Sequence, residues 1–133
     1  MSVKKFLAAL LGPKPGNARH LSGQLAEDSA LAYLQQRGLK LLERNFLCKG
    51  GEIDLIMVEP EATPTTLVFI EVRQRSNPHY GGAAASVTRK KQMRLIIAAQ
   101  VFLQRYRQPP ACRFDVVAID GEAIEWIKNA FEA

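Results

Sequence analysis

Two apolar runs separated by a proline-containing loop dominate the pattern of hydrophobic and polar positions in this chain. Residues 55–58 and 67–70 are apolar at both odd and even positions, which is typical of strands that are covered on both faces. Residues 60–65 contain two prolines and cannot continue a central strand. The pattern therefore predicts an antiparallel hairpin with its loop at residues 60–65.

Two acids and an arginine interrupt the apolar pattern of this hairpin. Symmetric pairing about the loop places Val58 opposite Leu67, and the same register places Asp54 opposite Glu71. Period-two alternation puts Glu71 and Arg73 on one face of their strand. The sequence thus predicts two carboxylates and a guanidinium at one end of a buried hairpin. Because unpaired buried charges are costly, such a cluster requires a cation, a partner or a function.

The segment before the hairpin has helical periodicity. Apolar residues recur at helical spacing over residues 24–34, which predicts a first helix with Ser22 as its N-cap and Gly38 at its end. Glu27 lies at the edge of the apolar stripe. It is either an ordinary first-turn acid favoured by the helix dipole or a side chain directed along the sheet. Residues 39–48 predict the first strand.

A loop, a second helix and a fourth strand are predicted after the hairpin. Residues 76–82 form a polar loop rich in glycine and proline, and we expect this loop to face a substrate. Ser86 is the predicted N-cap of a long helix that ends near Tyr106. Residues 113–119 predict a fourth strand, and residues 123–127 a short further segment. The predicted fold class is α/β, with the order α-β-β-β-α-β.

Composition is typical of one globular domain in a reducing environment. The chain has 133 residues, of which 47% are hydrophobic and 23% charged, and we expect a single domain over residues 21–133 after a flexible basic tail at residues 1–20. No apolar run approaches the roughly 20 residues that cross a bilayer. Cys48 and Cys112 are interpreted as ordinary thiols. We therefore expect a cytoplasmic protein with no membrane partner.

Positive charge is concentrated beside the acidic hairpin. The chain carries 18 basic and 13 acidic residues, for a net charge of +5, which permits a polyanionic partner without requiring one. Positive charge in the first turn of the second helix opposes the helix dipole, so we expect those side chains to contact a partner. The candidate nucleic-acid-binding residues are Arg73, Arg75, Arg89, Lys90, Lys91 and Arg94.

Asp54 and Glu71 on adjacent strands have the chemistry that a Mg²⁺-dependent phosphodiesterase requires. Carboxylate oxygens hold a hard cation that keeps some waters and accepts a substrate phosphate oxygen as a further ligand. Such a cation activates water and stabilises charge on the phosphorus oxygens. The backbone carbonyl of Val72 would add a metal ligand, and Glu27 would contact the metal or a bound water. Mg²⁺ or Mn²⁺ is therefore the expected cofactor.

Several separated motifs agree in order and spacing with one known family. Over about residues 21–120 the chain closely resembles the YraN-type family of small bacterial predicted endonucleases, in Gly23, Glu27, Gly51-Glu52-Ile53-Asp54-Leu55, Val68-Phe69-Ile70-Glu71-Val72-Arg73, Gly81-Gly82, Lys91-Gln92 and Arg113-Phe114-Asp115-Val116-Val117. The resemblance implies the restriction-endonuclease-like fold of archaeal Holliday-junction resolvases, a mixed central β-sheet with helices on both faces. It also implies that Asp54 and Glu71 bind metal and that Glu27 is the helix acid.

Arg73 departs from the wider motif of that fold, in which an aspartate is followed by Glu-x-Lys. A lysine can lose its proton and serve as a base, whereas a guanidinium cannot, so Arg73 is expected to stabilise charge only. Water would then be activated by the metal alone or by Lys90 or Lys91 from the second helix. The alternative role of Arg73 is a salt bridge that neutralises Glu71.

Three functions of different classes remain compatible with these residues. The leading hypothesis is a metal-dependent endonuclease that hydrolyses phosphodiester bonds in DNA, with branched or structured DNA as one substrate class. The second is a non-catalytic nucleic-acid-binding module on a nuclease fold, since fold does not imply activity. The third is a protein-interaction partner with an ion-paired relic of a site. Symmetric cleavage of a junction would require a homodimer.

Overall fold

A five-stranded mixed sheet is the centre of the computed structural model, which describes residues 18–74 and 87–133. The described elements are α1 (Ala18–Gln36), β1 (Lys40–Cys48), β2 (Gly51–Glu59), β3 (Thr66–Gln74), α2 (Arg89–Leu103), β4 (Ala111–Asp120) and β5 (Ala123–Phe131). The strands lie in the order β1-β2-β3-β4-β5. Strands β3 and β4 pair in parallel and the other neighbours are antiparallel. The predicted α/β class and element order are confirmed, and β5 is a full strand.

The two helices pack on opposite faces of the sheet. One face forms a core with α1 through residues Ala26, Ala30, Leu34, Leu55, Met57, Val68 and Ile70. The other face forms a core with α2 through residues Leu95, Ala98, Phe102, Ile53, Ile56, Leu67 and Phe69. Because β2 and β3 are covered on both faces, their side chains are apolar at odd and even positions alike. No described helix is long and apolar enough to span a membrane.

The β2–β3 hairpin has the predicted register. Val58 pairs with Leu67, and the ladder continues as far as the pair Leu55–Ile70. Asp54 lies one position beyond that last pair. The two strands therefore stop pairing at the point where the sequence places the acids.

The end of α1 is confirmed, whereas its predicted N-cap is wrong. Gly38 has φ +97°, its N–H donates to the carbonyl of Gln35 at 3.1 Å, and the next N–H donates to the carbonyl of Leu34 at 3.1 Å. This pair of bonds is the usual end of a helix that has a glycine at positive φ just beyond its last turn. The helix begins at Ala18, so Ser22 lies inside it, because residues 18–21 contain no glycine or proline to stop the helix earlier.

The second helix begins and ends inside its predicted limits. Thr88 is the N-cap of α2, and its hydroxyl accepts a bond from the Lys91 N–H at 3.2 Å. A threonine directly before the first helical residue satisfies one of the free N–H groups, so Ser86 is not the cap. The helix ends at Leu103, and the chain as far as Tyr106 forms turn bonds. Ser86, the loop at residues 76–82, Arg75 and residues 1–17 lie outside the described residues.

A buried aspartate attaches β5 to β4 at the far edge of the sheet. Asp115 is 1% exposed. Its carboxylate accepts hydrogen bonds from Arg113 Nε at 3.0 Å, Trp126 Nε1 at 2.9 Å and the Asn129 N–H at 2.9 Å. Arg113 also binds Glu59 at 2.8 Å. Asp115 therefore has a structural role in joining β5 to β4.

Candidate functional site

A polar cavity of about 500 Å³ lies at the end of the sheet where β2 and β3 cease to pair. Its lining includes five residues that the sequence marked as candidates, namely Glu27, Asp54, Glu71, Val72 and Lys91. It also includes residues that the sequence did not mark for chemistry, namely Gln24, Ala26, Asn45, Glu52 and Gln74, together with Gly23. Side chains from α1, β1, β2, β3 and α2 thus converge on one cavity.

An interruption of strand alternation brings Asp54 to this cavity. Ile53 packs in the core on the α2 side and Leu55 in the core on the α1 side, although residues two apart in a regular strand share a face. Opposite Asp54 on β1, Asn45 has φ +53°. Asparagine tolerates this left-handed conformation better than most residues. Because the alternation is interrupted here, Asp54 lies outside both apolar cores, although its neighbours Ile53 and Leu55 each belong to one of them.

Asp54 and Glu71 form an acid pair in which the charge of Glu71 acts on Asp54. The Val72 N–H donates to Asp54 Oδ2 at 2.9 Å. Burial, and next the negative charge of Glu71, raise the pKa of Asp54 to about 8. Glu71 itself is buried. Two carboxylates this close are stabilised by a shared proton or by a cation between them.

Glu71 also receives two basic side chains. Lys91 Nζ lies 3.0 Å from Glu71 Oε1, and Arg73 Nη1 lies 3.8 Å from the same oxygen. Lys91 reaches the acids from the first turn of α2, whereas Lys90 is exposed. Arg73 is beside Glu71 but does not line the cavity. Its buried Nε has no hydrogen-bond partner among the described residues.

Strand β1 holds Glu27 at the wall of the cavity. Arg44 donates to Glu27 Oε1 from Nε at 3.1 Å and from Nη2 at 3.0 Å, and it also binds Asp28 at 2.8 Å. Asn45 adds a side-chain hydrogen bond to Glu27. Burial raises the pKa of Glu27 in spite of these partners. Arg44 and Asn45 therefore hold Glu27 in one orientation, and the negative charge of Glu27 contributes to the raised pKa of Asp54.

The other candidate nucleic-acid-binding residues of α2 surround Lys91 on that helix. Arg89 and Lys90 are exposed, and Arg89 donates to Gln92 at 3.1 Å. Arg94 is half exposed and lies 3.5 Å from Glu52, which lines the cavity. The helix thus presents basic side chains next to the acidic site.

Asp54 and Glu71 give the cavity two carboxylates that a cation could use. Among residues 18–74 and 87–133, no group of three or more histidine, cysteine, aspartate or glutamate side chains could hold a metal ion. Structural zinc takes four protein ligands, and catalytic zinc takes three. Mg²⁺ is commonly held by one or two carboxylates together with waters and substrate phosphates. Asp54 and Glu71 therefore fit a Mg²⁺ or Mn²⁺ ion.

The raised pKa of Asp54 predicts that the metal-free protein loses stability as the pH rises from about 4 to about 8. The folded state keeps a proton that the unfolded chain releases near pH 4, so the unfolding free energy falls over this interval. Asn at position 54 has no charge to desolvate. In EDTA at pH 8 we expect Asp54→Asn to melt roughly 5 °C or more above the wild type, and the two melting temperatures to converge near pH 4.

Thermal unfolding of both proteins between about pH 4 and pH 8 measures this effect, with the exposed Asp120→Asn as the matched control. If the melting temperatures of the wild type and Asp54→Asn differ by the same amount at all pH values, the pKa of Asp54 is not raised by burial and by Glu71.

The fold and this cavity define an α/β protein with a nuclease-like core and an acid pair at the end of its sheet. The profile of "Uncharacterised protein family UPF0102" matches residues 26–119, and the chain belongs to that family. A UPF0102 protein of Herminiimonas arsenicoxydans is 60% identical over 120 residues, which cover 90% of this chain and 94% of that protein.

Further relatives agree with this assignment. A UPF0102 protein of Janthinobacterium sp. (strain Marseille) is 61% identical over 120 residues, or 90% of this chain and 94% of that protein. One of Cupriavidus taiwanensis is 51% identical over 116 residues, or 87% of this chain and 86% of that protein. The resemblance stated from the sequence motifs is confirmed at the level of the family.

Proposed function

We propose that this protein is a metal-dependent endonuclease that hydrolyses phosphodiester bonds in DNA. One observation carries the proposal. Asp54 and Glu71 lie in a polar cavity that Lys91 also lines, at the point where two central strands stop pairing, and burial together with the charge of Glu71 raises the pKa of Asp54. A buried acid pair beside an amine is costly unless it serves chemistry, and perturbed acids in a cavity are a common sign of catalysis.

The acids would hold the ion. Asp54 and Glu71 would bind Mg²⁺ or Mn²⁺ through their carboxylates, and the backbone carbonyl of Val72 would add an oxygen. A bound ion of this type activates water and neutralises charge on the phosphate. Glu27, which Arg44 and Asn45 orient, would accept a hydrogen bond from a water in the cavity.

The basic residues near Glu71 would have different tasks. Lys91 is a candidate for binding a phosphate oxygen or for accepting a proton from the attacking water, because its amine can change protonation state. Arg73 cannot act as a base and would contribute positive charge from beside Glu71. Arg89, Lys90 and Arg94 would contact the phosphate backbone.

These backbone contacts favour a substrate recognised by shape and charge more than by base sequence. Lysine and arginine on phosphates fix the position of a protein on DNA but carry little sequence information. Branched and structured DNA are therefore included among the proposed substrates. Cleavage of both strands of a symmetric junction would need two copies of the chain.

A second function has its own supporting observation. Lys91 and Arg73 both lie at the same oxygen of Glu71, so this acid is already neutralised by the protein's own cations. An ion-paired site of this kind would suit a non-catalytic nucleic-acid-binding module. Such a protein would bind DNA with an affinity that depends strongly on salt concentration, and it would not cleave DNA whichever metal ion is added.

Cleavage of labelled linear, flap, single-stranded and four-way-junction DNA in Mg²⁺ or Mn²⁺ distinguishes the two functions. We expect the wild type to cleave at least one of these substrates, and Glu71→Gln to be slower by at least about a hundredfold. The exposed loop variant Glu61→Gln is the matched control and should cleave at the wild-type rate. Binding without cleavage in either metal would support the binding module instead.

A further inference from the structure

A glycine in the interior of α1 has no conformational explanation. Gly23 is five residues beyond the start of the helix at Ala18, and glycine is among the poorest helix formers. Positive φ requires glycine at Gly38, Gly50 and Gly121, but Gly23 does not have such a backbone conformation. An alanine would therefore fit the backbone at this position and would favour the helix.

Packing does not explain this glycine either. A Cβ built on Gly23 meets no atom of the described residues within 4 Å. Gly51 shows the opposite case, since a Cβ there would collide with the carbonyl oxygen of Arg94 and lie 3.0 Å from the Ala98 nitrogen. Gly51 permits α2 to approach β2, whereas Gly23 borders space that no described residue fills.

That open space belongs to the cavity of the acid pair. Gly23 lines the cavity together with Ala26 and Glu27. Residues separated by three and four positions share one face of a helix, so Gly23 lies one turn before the acid on the same face. A side chain at position 23 would project from this face beside Glu27 and would narrow the approach to Asp54.

We propose that Gly23 is the point at which a DNA strand crosses α1 on its way to Asp54 and Glu71. The missing side chain lets the sugar-phosphate backbone approach the helix closely, at a cost to helix stability that the fold does not otherwise require. On this path a strand passes over α1 to place a phosphate at the acids, so the size of the residue at position 23 limits which substrates fit. The inference rests on the proposed function and adds to it a path for the strand.

A size series at position 23, with a matched series on the same helix, tests this path. The variants are Gly23→Ala and Gly23→Leu, and the controls are Ser29→Ala and Ser29→Leu, at an exposed position that does not line the cavity. Binding of a fluorescent duplex and a fluorescent four-way junction is measured by anisotropy on the Glu71→Gln background. Melting temperature and cleavage efficiency, as kcat/KM, are measured with Glu71 intact.

We expect stability and substrate binding to change in opposite directions at position 23. Gly23→Ala should melt about 2–4 °C above the wild type, because alanine favours the helix. Its DNA affinity should fall about threefold and that of Gly23→Leu tenfold or more, with parallel losses in kcat/KM. The Ser29 variants should keep the parent affinity.

Two outcomes would contradict the proposed path of the strand. Only the second would also contradict the proposed nuclease function. If the wild type cleaves DNA and Gly23→Leu binds it as tightly as its parent, the path over α1 is wrong and the nuclease function stands. If the protein without substitutions at position 23 binds neither DNA probe and cleaves neither, both the path and the proposed function are wrong.

Discussion

Asp54→Asn is expected to lower the rate of DNA cleavage by at least about a thousandfold and to abolish the thermal stabilisation that Mg²⁺ or Mn²⁺ gives the wild type. Asparagine has nearly the same shape as aspartate, and its amide oxygen can still accept the Val72 N–H. What the substitution removes is negative charge, which is the property that a hard cation requires of its ligand.

If Asp54→Asn is as stable as we expect, misfolding is excluded as the cause of its lost activity. Desolvation and the charge of Glu71 both oppose ionisation of Asp54, so the metal-free variant should be at least as stable as the wild type near pH 8. Single-turnover cleavage and thermal unfolding with increasing metal measure the two effects in one preparation. Equal metal-induced shifts in the wild type and in Asp54→Asn would show that the ion binds elsewhere.

Asp115→Ala is expected to reduce the free energy of unfolding by about 3–5 kcal/mol, the largest loss of stability that we predict. The carboxylate lies in the interior and satisfies the side chain of Arg113, the indole of Trp126 and the backbone of Asn129. Its removal leaves the largely buried guanidinium of Arg113 with Glu59 as its one remaining ion-pair partner among the described residues. The N–H groups of the Trp126 indole and the Asn129 backbone also lose the acceptor that they have in this structure.

Urea unfolding of Asp115→Ala measures this loss, and Asp120→Ala, at an exposed position of the same strand, is the control. We expect the exposed substitution to change the unfolding free energy by less than about 0.5 kcal/mol. A loss of under about 1 kcal/mol for Asp115→Ala would show that the hydrogen bonds around it contribute little to the attachment of β5.

The hairpin register could be predicted because local chemistry determines it. Two prolines limit the loop, and apolar residues on both faces determine which strands are central, so Val58 must face Leu67. The approach of Asp54 to Glu71 then follows by counting residues. The end of α1 was predictable for a similar reason, since Gly38 adopts a backbone conformation that other residues rarely reach.

Other parts of the site depend on tertiary packing and were not predictable. Lys91 contacts Glu71 and Lys90 does not, because of the way α2 is rotated against the sheet. The order of the two lysines in the sequence does not determine this rotation. Arg44 and Asn45 meet Glu27 only after α1 has packed on β1. An asparagine within a predicted strand was the one available signal, because this residue adopts positive φ more often than most others.

The most direct test of the nuclease proposal is a side-by-side time course of cleavage of labelled four-way-junction and linear DNA in Mn²⁺ or Mg²⁺. Wild type and Asp54→Asn are purified identically, so that any contaminating nuclease contributes equally to both. We expect the wild type to cleave and the variant to leave the DNA intact over the same period. Equal rates for the two proteins, or intact DNA with both in either metal, would contradict the proposal.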